Sequence, residues 1–200
     1  MSFSLAILAG GKSKRLGFDK CTLTLNGVRI IDKILSEISH LFDDVLIVGE
    51  NVATIGRIVK DLHPNRGPVA GLEAALFYAK NEAVFLIACD MPCVSREVVE
   101  RELSFFEDQE VVCPFVDGKY QTAHAVYSKK IFKTVEKELE RDKATLTHVI
   151  LSAQKRLILV ESDFKALPTF RESFLNVNFP RDMYEIQRVC LSRKSQDDIM

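Results

Sequence analysis

A three-layer α/β/α sandwich, with a mostly parallel central sheet covered by helices on both faces, is the fold this sequence predicts. Two observations predict it. Short apolar runs alternate with segments of helical periodicity along almost the whole chain, the pattern left by strands joined through crossover helices. No long Gly/Ser/Pro linker, low-complexity tract or internal repeat breaks that alternation, so the 200 residues suit one domain with a sizeable core. The expected bounds are a single domain over residues 1–192 and a polar tail over 193–200.

Leu5-Ala6-Ile7-Leu8 opens the series as a buried first strand, apolar at every position because both faces of the sheet are to be covered. A helix over Ile30–Leu41 and a strand over Val45–Val48 follow. Pro68–Ala79 reads as a helix, with Pro68 in its first turn and Val69, Leu72, Ala75, Leu76 and Ala79 as its apolar stripe. After the strand Val84–Ala88, Ser95 is placed to cap a helix over Ser95–Phe106. Strands at Val111–Pro114, Ala123–Tyr127 and Leu157–Val160 enclose helices at Lys129–Arg141 and Ala144–Ser152. Pro180 and Asp182 set a terminator and then acidic charge at the start of a last helix, Arg181–Arg193. Right-handed crossovers put the strand ends Leu8 and Ala88 on one edge of the sheet. Ligands of such sheets sit outside the carboxyl ends of the strands.

A formal net charge of -1 argues against a protein that coats nucleic acid, which would carry a basic excess. The first apolar run is too short for a signal peptide or a membrane span, and nothing later reaches transmembrane length. A cytoplasmic protein with no membrane partner is the expectation. Five cysteines (Cys21, Cys89, Cys93, Cys113, Cys190) include no C-x-x-C pair, which predicts free thiols in a reducing compartment. Cys89 and Cys93 with His63 or His124 do not have the spacing of a zinc knuckle.

Chemistry concentrates just after the first strand. Gly10, Gly11 and Gly17 share a short stretch with Lys12, Lys14, Arg15 and Lys20, against the one carboxylate of Asp19. Glycines let backbone N–H groups surround an anion, and Lys and Arg add the charge that holds a polyphosphate. A Walker A motif would need glycine where Ala6 stands, and a G-x-G-x-x-G fingerprint fails because Gly10 and Gly11 are adjacent. The second concentration is Asp90, one carboxylate just past a buried strand, with Met91-Pro92 turning the chain away. Mg²⁺ takes a carboxylate or two plus phosphate oxygens and water, which makes Asp90 the metal candidate.

Four segments in order carry a resemblance. Leu8-Ala9-Gly10-Gly11-Lys12-Ser13-Lys14-Arg15-Leu16-Gly17-Phe18-Asp19-Lys20, Gly67-Pro68-Val69-Ala70-Gly71-Leu72, Ala88-Cys89-Asp90-Met91-Pro92 and Asn176-Val177-Asn178-Phe179-Pro180-Arg181-Asp182 together resemble the molybdenum cofactor guanylyltransferases, within the wider nucleotidyltransferases. The resemblance spans residues 5 to 185 and implies a Rossmann-like fold of the nucleotide-diphospho-sugar transferase type. It also implies GMP transfer from GTP to the phosphate of molybdopterin with Mg²⁺, and delivery of the product to molybdoenzymes or their chaperones.

On that resemblance Leu8, Ala9, Gly10, Gly11, Lys20, Asn51, Asp61, Gly67 and Asp90 bind the nucleotide, and Lys20, Arg15 and Asp90 carry catalysis. A carboxylate such as Asp61 suits guanine because it accepts from both N1–H and the exocyclic amino group. Asn176, Asn178 and Gln121 fall on the acceptor side. Several positions depart from the family pattern. Leu16 stands where Met is common, Phe179 and Arg181 replace Thr and Glu, and Lys119-Tyr120-Gln121-Thr122-Ala123-His124 replaces a Pro-Glu-Pro run. His124 itself reads as a strand residue satisfied locally. Three alternatives stay open: a molybdopterin cytidylyltransferase, a sugar-1-phosphate nucleotidyltransferase, and a nucleotide-binding chaperone without catalysis.

Overall fold

The structure, a computed structural model, describes residues 1–9, 23–49, 55–167, 169–177, 182–184 and 186–189. Strand β1 (Phe3–Ala9) is followed by a hairpin of β2 (Thr24–Leu25) and β3 (Val28–Arg29). Helix α1 (Ile30–Ile38), β4 (Asp44–Gly49), β5 (Arg57–Val59), α2 (Pro68–Tyr78), β6 (Ala83–Ala88) and α3 (Arg96–Ser104) come next. The series closes with β7 (Val111–Val116), β8 (Lys119–Tyr120), β9 (His124–Ser128), α4 (Phe132–Leu139), α5 (Leu146–Ser152) and β10 (Arg156–Val160). Among the described residues the main sheet runs β10-β7-β9-β6-β1-β4-β5, with β8 paired to β7. All its neighbours are parallel except those of β9, antiparallel to both β6 and β7, and the β7–β8 hairpin.

Alternation along the strands sorts side chains into two cores. Leu5, Ile7, Phe85 and Ile87 enter one with Ile30, Ile34 and Val98, on the face covered by α1 and α3. Ala6, Leu46, Val84 and Leu86 enter the other with Val69, Leu72, Leu76 and Val135, on the face covered by α2, α4 and α5. This is the predicted three-layer arrangement, and it explains why β1 and β6 read as unbroken apolar runs.

The differences are local. Helix α1 ends at Ile38 and tightens into a 3-10 turn over Ser39–Leu41. A 3-10 turn over Lys129–Ile131 likewise precedes α4. Ser95 holds the N-cap position of α3, but its hydroxyl donates to Glu97 Oε2 at 2.7 Å instead of capping the helix. The hairpins at β2–β3 and β7–β8 turn on Asn26-Gly27 and Asp117-Gly118, both residues of each at positive φ. That is the mirror-image turn whose twist fits paired strands. Residues 182–184 and 186–189 are helical within the expected terminal helix.

One expectation is corrected. Cys93 is disulfide-bonded, with its partner outside the described residues, whereas Cys89 and Cys113 keep their thiols. The physical reason is where Cys93 lies: buried, with Sγ 4.0 Å from the Ile186 carbonyl, against the terminal helical residues.

Candidate active site at the carboxyl edge of the sheet

Strands β1 and β6 are in register side by side, Leu8 opposite Ala88. The Cys89 N–H donates to the Leu8 carbonyl at 3.2 Å, which extends the pairing one residue beyond the strand. Ala9, fully buried, and the half-buried Asp90 therefore leave the sheet from adjacent strands at one edge. Helix α2 approaches the same edge. A Cβ on Gly71 would lie 2.6 Å from Leu8 Cδ2, so glycine lets the first turns of this helix lie directly on the end of β1. Gly67 precedes the helix with φ +69°, a conformation glycine takes without strain, and its carbonyl accepts from the Ala70 N–H at 3.1 Å.

Asp90 is also tied from the far end of the chain. The Val177 N–H donates to the Asp90 carbonyl at 2.9 Å, and Val177 is itself fully buried. That bond brings the exposed Asn176 beside the Asp90 turn. Gln121 sits where β7, β8 and β9 meet. Its N–H reaches the Pro114 carbonyl at 2.8 Å and its Nε2 donates to the Val116 carbonyl at 3.3 Å, so its amide nitrogen is engaged in closing that loop.

Asp61 lies half-buried on the approach to α2. Burial and the neighbouring Glu73 charge both raise its carboxyl above the ordinary value. Glu73, buried within α2, pairs with His63 Nδ1 at 2.7 Å. Gly10, Gly11, Lys12, Lys14, Arg15, Lys20, Asn51 and Asn178 lie outside the described residues. Of the expected site residues the structure thus joins Leu8, Ala9, Gly67, Asp90 and Asn176 around one edge. Asp61 joins them through α2, and Gln121 stands on the neighbouring hairpin.

Among the described residues Asp90 is the carboxylate at this edge that could hold a divalent cation, and no group of three or more His, Cys, Asp or Glu side chains converges. A single aspartate at the rim suits an ion whose other ligands are phosphate oxygens and water, as Mg²⁺ prefers, and not an all-protein cage. His63 and His124 are engaged with Glu73 and with Glu102 and Ser173, so neither turns toward Asp90.

Two acid–histidine pairs, the half-exposed His63–Glu73 and the fully buried His124–Glu102, were not legible as pairs in the sequence. A signal did exist for the second. Glu102 continues the buried side of α3 after Val98 and Val99, and a carboxylate on an apolar stripe needs a partner.

A family model described as a MobA-like NTP transferase domain matches residues 5–157. A probable molybdenum cofactor guanylyltransferase from Carboxydothermus hydrogenoformans is 32% identical over 94% of this chain and 96% of its own length. Another, from Methanothermobacter thermautotrophicus, is 30% identical over 90% of this chain and 96% of its own. Among solved structures, the molybdopterin-guanine dinucleotide biosynthesis protein A of Archaeoglobus fulgidus shares the fold with a TM-score of 0.81. It is 22% identical and is matched over 94% of this chain and 99% of that one.

Proposed function

This chain belongs to the MobA-like NTP transferase domain family, and from that premise we infer that it is a molybdenum cofactor guanylyltransferase. It moves GMP from GTP to the terminal phosphate of molybdopterin, giving a guanine dinucleotide cofactor and pyrophosphate. One structural observation carries the reading: the ends of β1 and β6 are adjacent, with Cys89 N–H bonded to the Leu8 carbonyl. Neighbouring strands are about 4.8 Å apart. The segment that follows Ala9 and the turn that bears Asp90 therefore start side by side, as two groups acting on one triphosphate must.

In the reaction an oxygen of the acceptor phosphate attacks the α-phosphorus of GTP. The new bond is from that oxygen to phosphorus, and the broken one joins the α-phosphorus to the bridging oxygen, which leaves with pyrophosphate. A phosphate monoester has a second pKa of about 6, so the acceptor is already anionic near neutrality and needs no general base. What the protein must supply is alignment and preorganised positive charge.

In this reading the N–H groups of Gly10 and Gly11, following Leu8 and Ala9, cradle the β- and γ-phosphates. Arg15 grips them bidentately, Lys20 meets the charge at the reacting centre, and Lys12 and Lys14 enlarge the positive field. These assignments rest on the sequence motif. Asp90 would hold a divalent ion, for which we propose Mg²⁺, and such an ion neutralises charge on phosphate oxygens. Asp61, with Asn51, would accept from guanine N1–H and its amino group, and Gly67 would admit the nucleotide close to the start of α2. Asn176 and Asn178 would face the acceptor, with Gln121 contributing through its side-chain carbonyl. Delivery in the cytoplasm to molybdoenzymes or their chaperones belongs to the same proposal. No described helix is long and apolar enough to cross a membrane.

The test is a thermal melt with Mg²⁺ and either GTP or CTP, followed by turnover with each labelled triphosphate and molybdopterin. GTP should raise the melting temperature by binding the folded state and should be the donor consumed. Equal service from CTP, or from neither, overturns the assignment.

A further inference from the structure

Three segments far apart in sequence, α3 with its N-cap Ser95, β9 and the 3-10 turn Phe170–Phe174, meet behind the Asp90 turn in a chain of buried polar groups. Ser173, in the 3-10 turn Phe170–Phe174, accepts the Ser95 N–H at 3.0 Å and lies 3.1 Å from His124 Nε2. On the other side of the imidazole, Nδ1 stands 2.9 Å from Glu102 Oε1. Glu102, His124 and Ser173 are each 0% exposed.

The proton positions follow from satisfaction. Ser95 N–H can only donate, so the Ser173 hydroxyl proton has His124 Nε2 as its remaining polar neighbour among the described residues. Nε2 is then the acceptor, and the imidazole proton sits on Nδ1, facing Glu102. The Nδ1 and Oε1 atoms are close but not aligned for a good hydrogen bond. Their coupling is therefore chiefly electrostatic, in surroundings where charge is weakly screened.

Serine, histidine and glutamate are connected here as in a hydrolytic triad, yet no substrate atom reaches a fully buried Ser173 Oγ. The connection leads elsewhere. The His124 ring packs on Phe85 of β6, 5.2 Å between centroids, and on Phe174, 4.7 Å away. Three residues beyond Phe174, Val177 donates to the Asp90 carbonyl. Ser95 starts the helix that follows Asp90-Met91-Pro92.

We propose that Glu102, His124 and Ser173 are positioning residues, which fix the strap over residues 170–177 and through Val177 set the orientation of the Asp90 turn. This inference rests on the reading of Asp90 as the metal-holding carboxylate. Loss of an outer partner of a metal-holding group costs roughly ten- to a hundredfold in metal affinity or activity.

Ser173→Ala deletes one hydroxyl, and Glu102→Gln keeps shape while removing the acid. Three quantities are measured in each variant and in the unaltered protein: amide hydrogen exchange at Val177 without substrate, the Mg²⁺ dependence of the GTP-induced melting shift, and kcat against KM for GTP. In Ser173→Ala the Val177 amide should exchange about tenfold faster. The Mg²⁺ needed for half the shift should rise about tenfold, with kcat lowered and KM for GTP unchanged. Glu102→Gln should move each in the same direction.

Val177 exchange at the original rate in both variants overturns the proposal. So does faster exchange with an unaltered Mg²⁺ requirement, which would mean a merely structural strap. The exchange arm needs no substrate, so it judges the strap whatever the unaltered protein does with GTP and molybdopterin. That reaction, by contrast, judges the functional reading.

Discussion

Asp44 opens β4 at the amino edge of the sheet, and Asp90 follows β6 at the carboxyl edge. The first is buried and surrounded by donors: Ser4 Oγ at 2.8 Å, Lys80 N–H at 2.9 Å, Arg57 Nη2 at 2.8 Å and Arg57 Nε at 3.2 Å. Asn81 adds a second hold on Ser4, at 3.2 Å. Asp90 is half-buried, and the bond that secures its turn is made by its backbone carbonyl. At one edge an aspartate side chain closes the structure, and at the other the main chain of an aspartate is tied to the segment that follows Phe174.

Breaking the carboxyl edge should give the largest effect. Asp90→Ala is expected to lower kcat for GMP transfer about a hundredfold or more, if its carboxylate acts on developing charge, and to leave the melting temperature near that of the parent. Near-parent turnover would remove Asp90 from the mechanism.

Asp44→Asn should do the reverse. It keeps the side chain's volume but weakens its hydrogen bonds, so a stability loss of about 2 kcal/mol is expected in urea titrations, with turnover unchanged. The pH dependence sharpens this contrast. Burial alone would raise the Asp44 carboxyl, but bonds from Lys80, Arg57 and Ser4 and the Arg57 charge hold it below its ordinary 3.8. The unfolded chain then takes up the proton first. The contribution of Asp44 is complete above pH 3.8 and is lost as pH falls through the lowered value. Asp44→Asn should flatten that acid limb. Glu102 has the opposite sign, because burial raises its carboxyl above 4.5 despite the opposing pull of His124. Its contribution is full below pH 4.5 and fades as pH rises through the raised value. An acid limb identical in parent and Asp44→Asn would contradict the comparison.

The smallest effect is expected at Gly71. An added Cβ meets only the tip of the Leu8 side chain, which can turn aside, and alanine gains up to about 1 kcal/mol in helix propensity. Gly71→Ala should shift stability by less than about 1 kcal/mol. Through displaced Leu8 it should raise KM for GTP a few-fold, read from initial rates. A large loss of stability would mean that α2 cannot give at the edge of the sheet.

How much of this was legible in the sequence differs element by element. β1, β4 and β6 were plain because strands covered on both faces are apolar throughout, and their parallel order placed Leu8 and Asp90 at one edge before any coordinates. The direction of β9 was not legible, since Ala123–Tyr127 is the same apolar run read either way. Asn26-Gly27 and Asp117-Gly118 are themselves hairpin signals, but β2, β3 and β8 are two residues long and leave almost no periodicity to confirm a strand. The Val177–Asp90 bond and the Ser173–His124–Glu102 chain were invisible. Each joins residues that only the assembled sheet brings near, and neither leaves a pattern along the chain.

The stitch between Val177 and Asp90 has a consequence for synthesis on the ribosome. Domains form as their segments emerge, at roughly 5–20 residues per second. The strands from β1 to β6 can pair once residue 88 is out, but the Asp90 turn waits for residue 177 before it is held in place. A nascent protein thus has a sheet well before it has a finished carboxyl edge, and a stalled one would keep that edge unfastened.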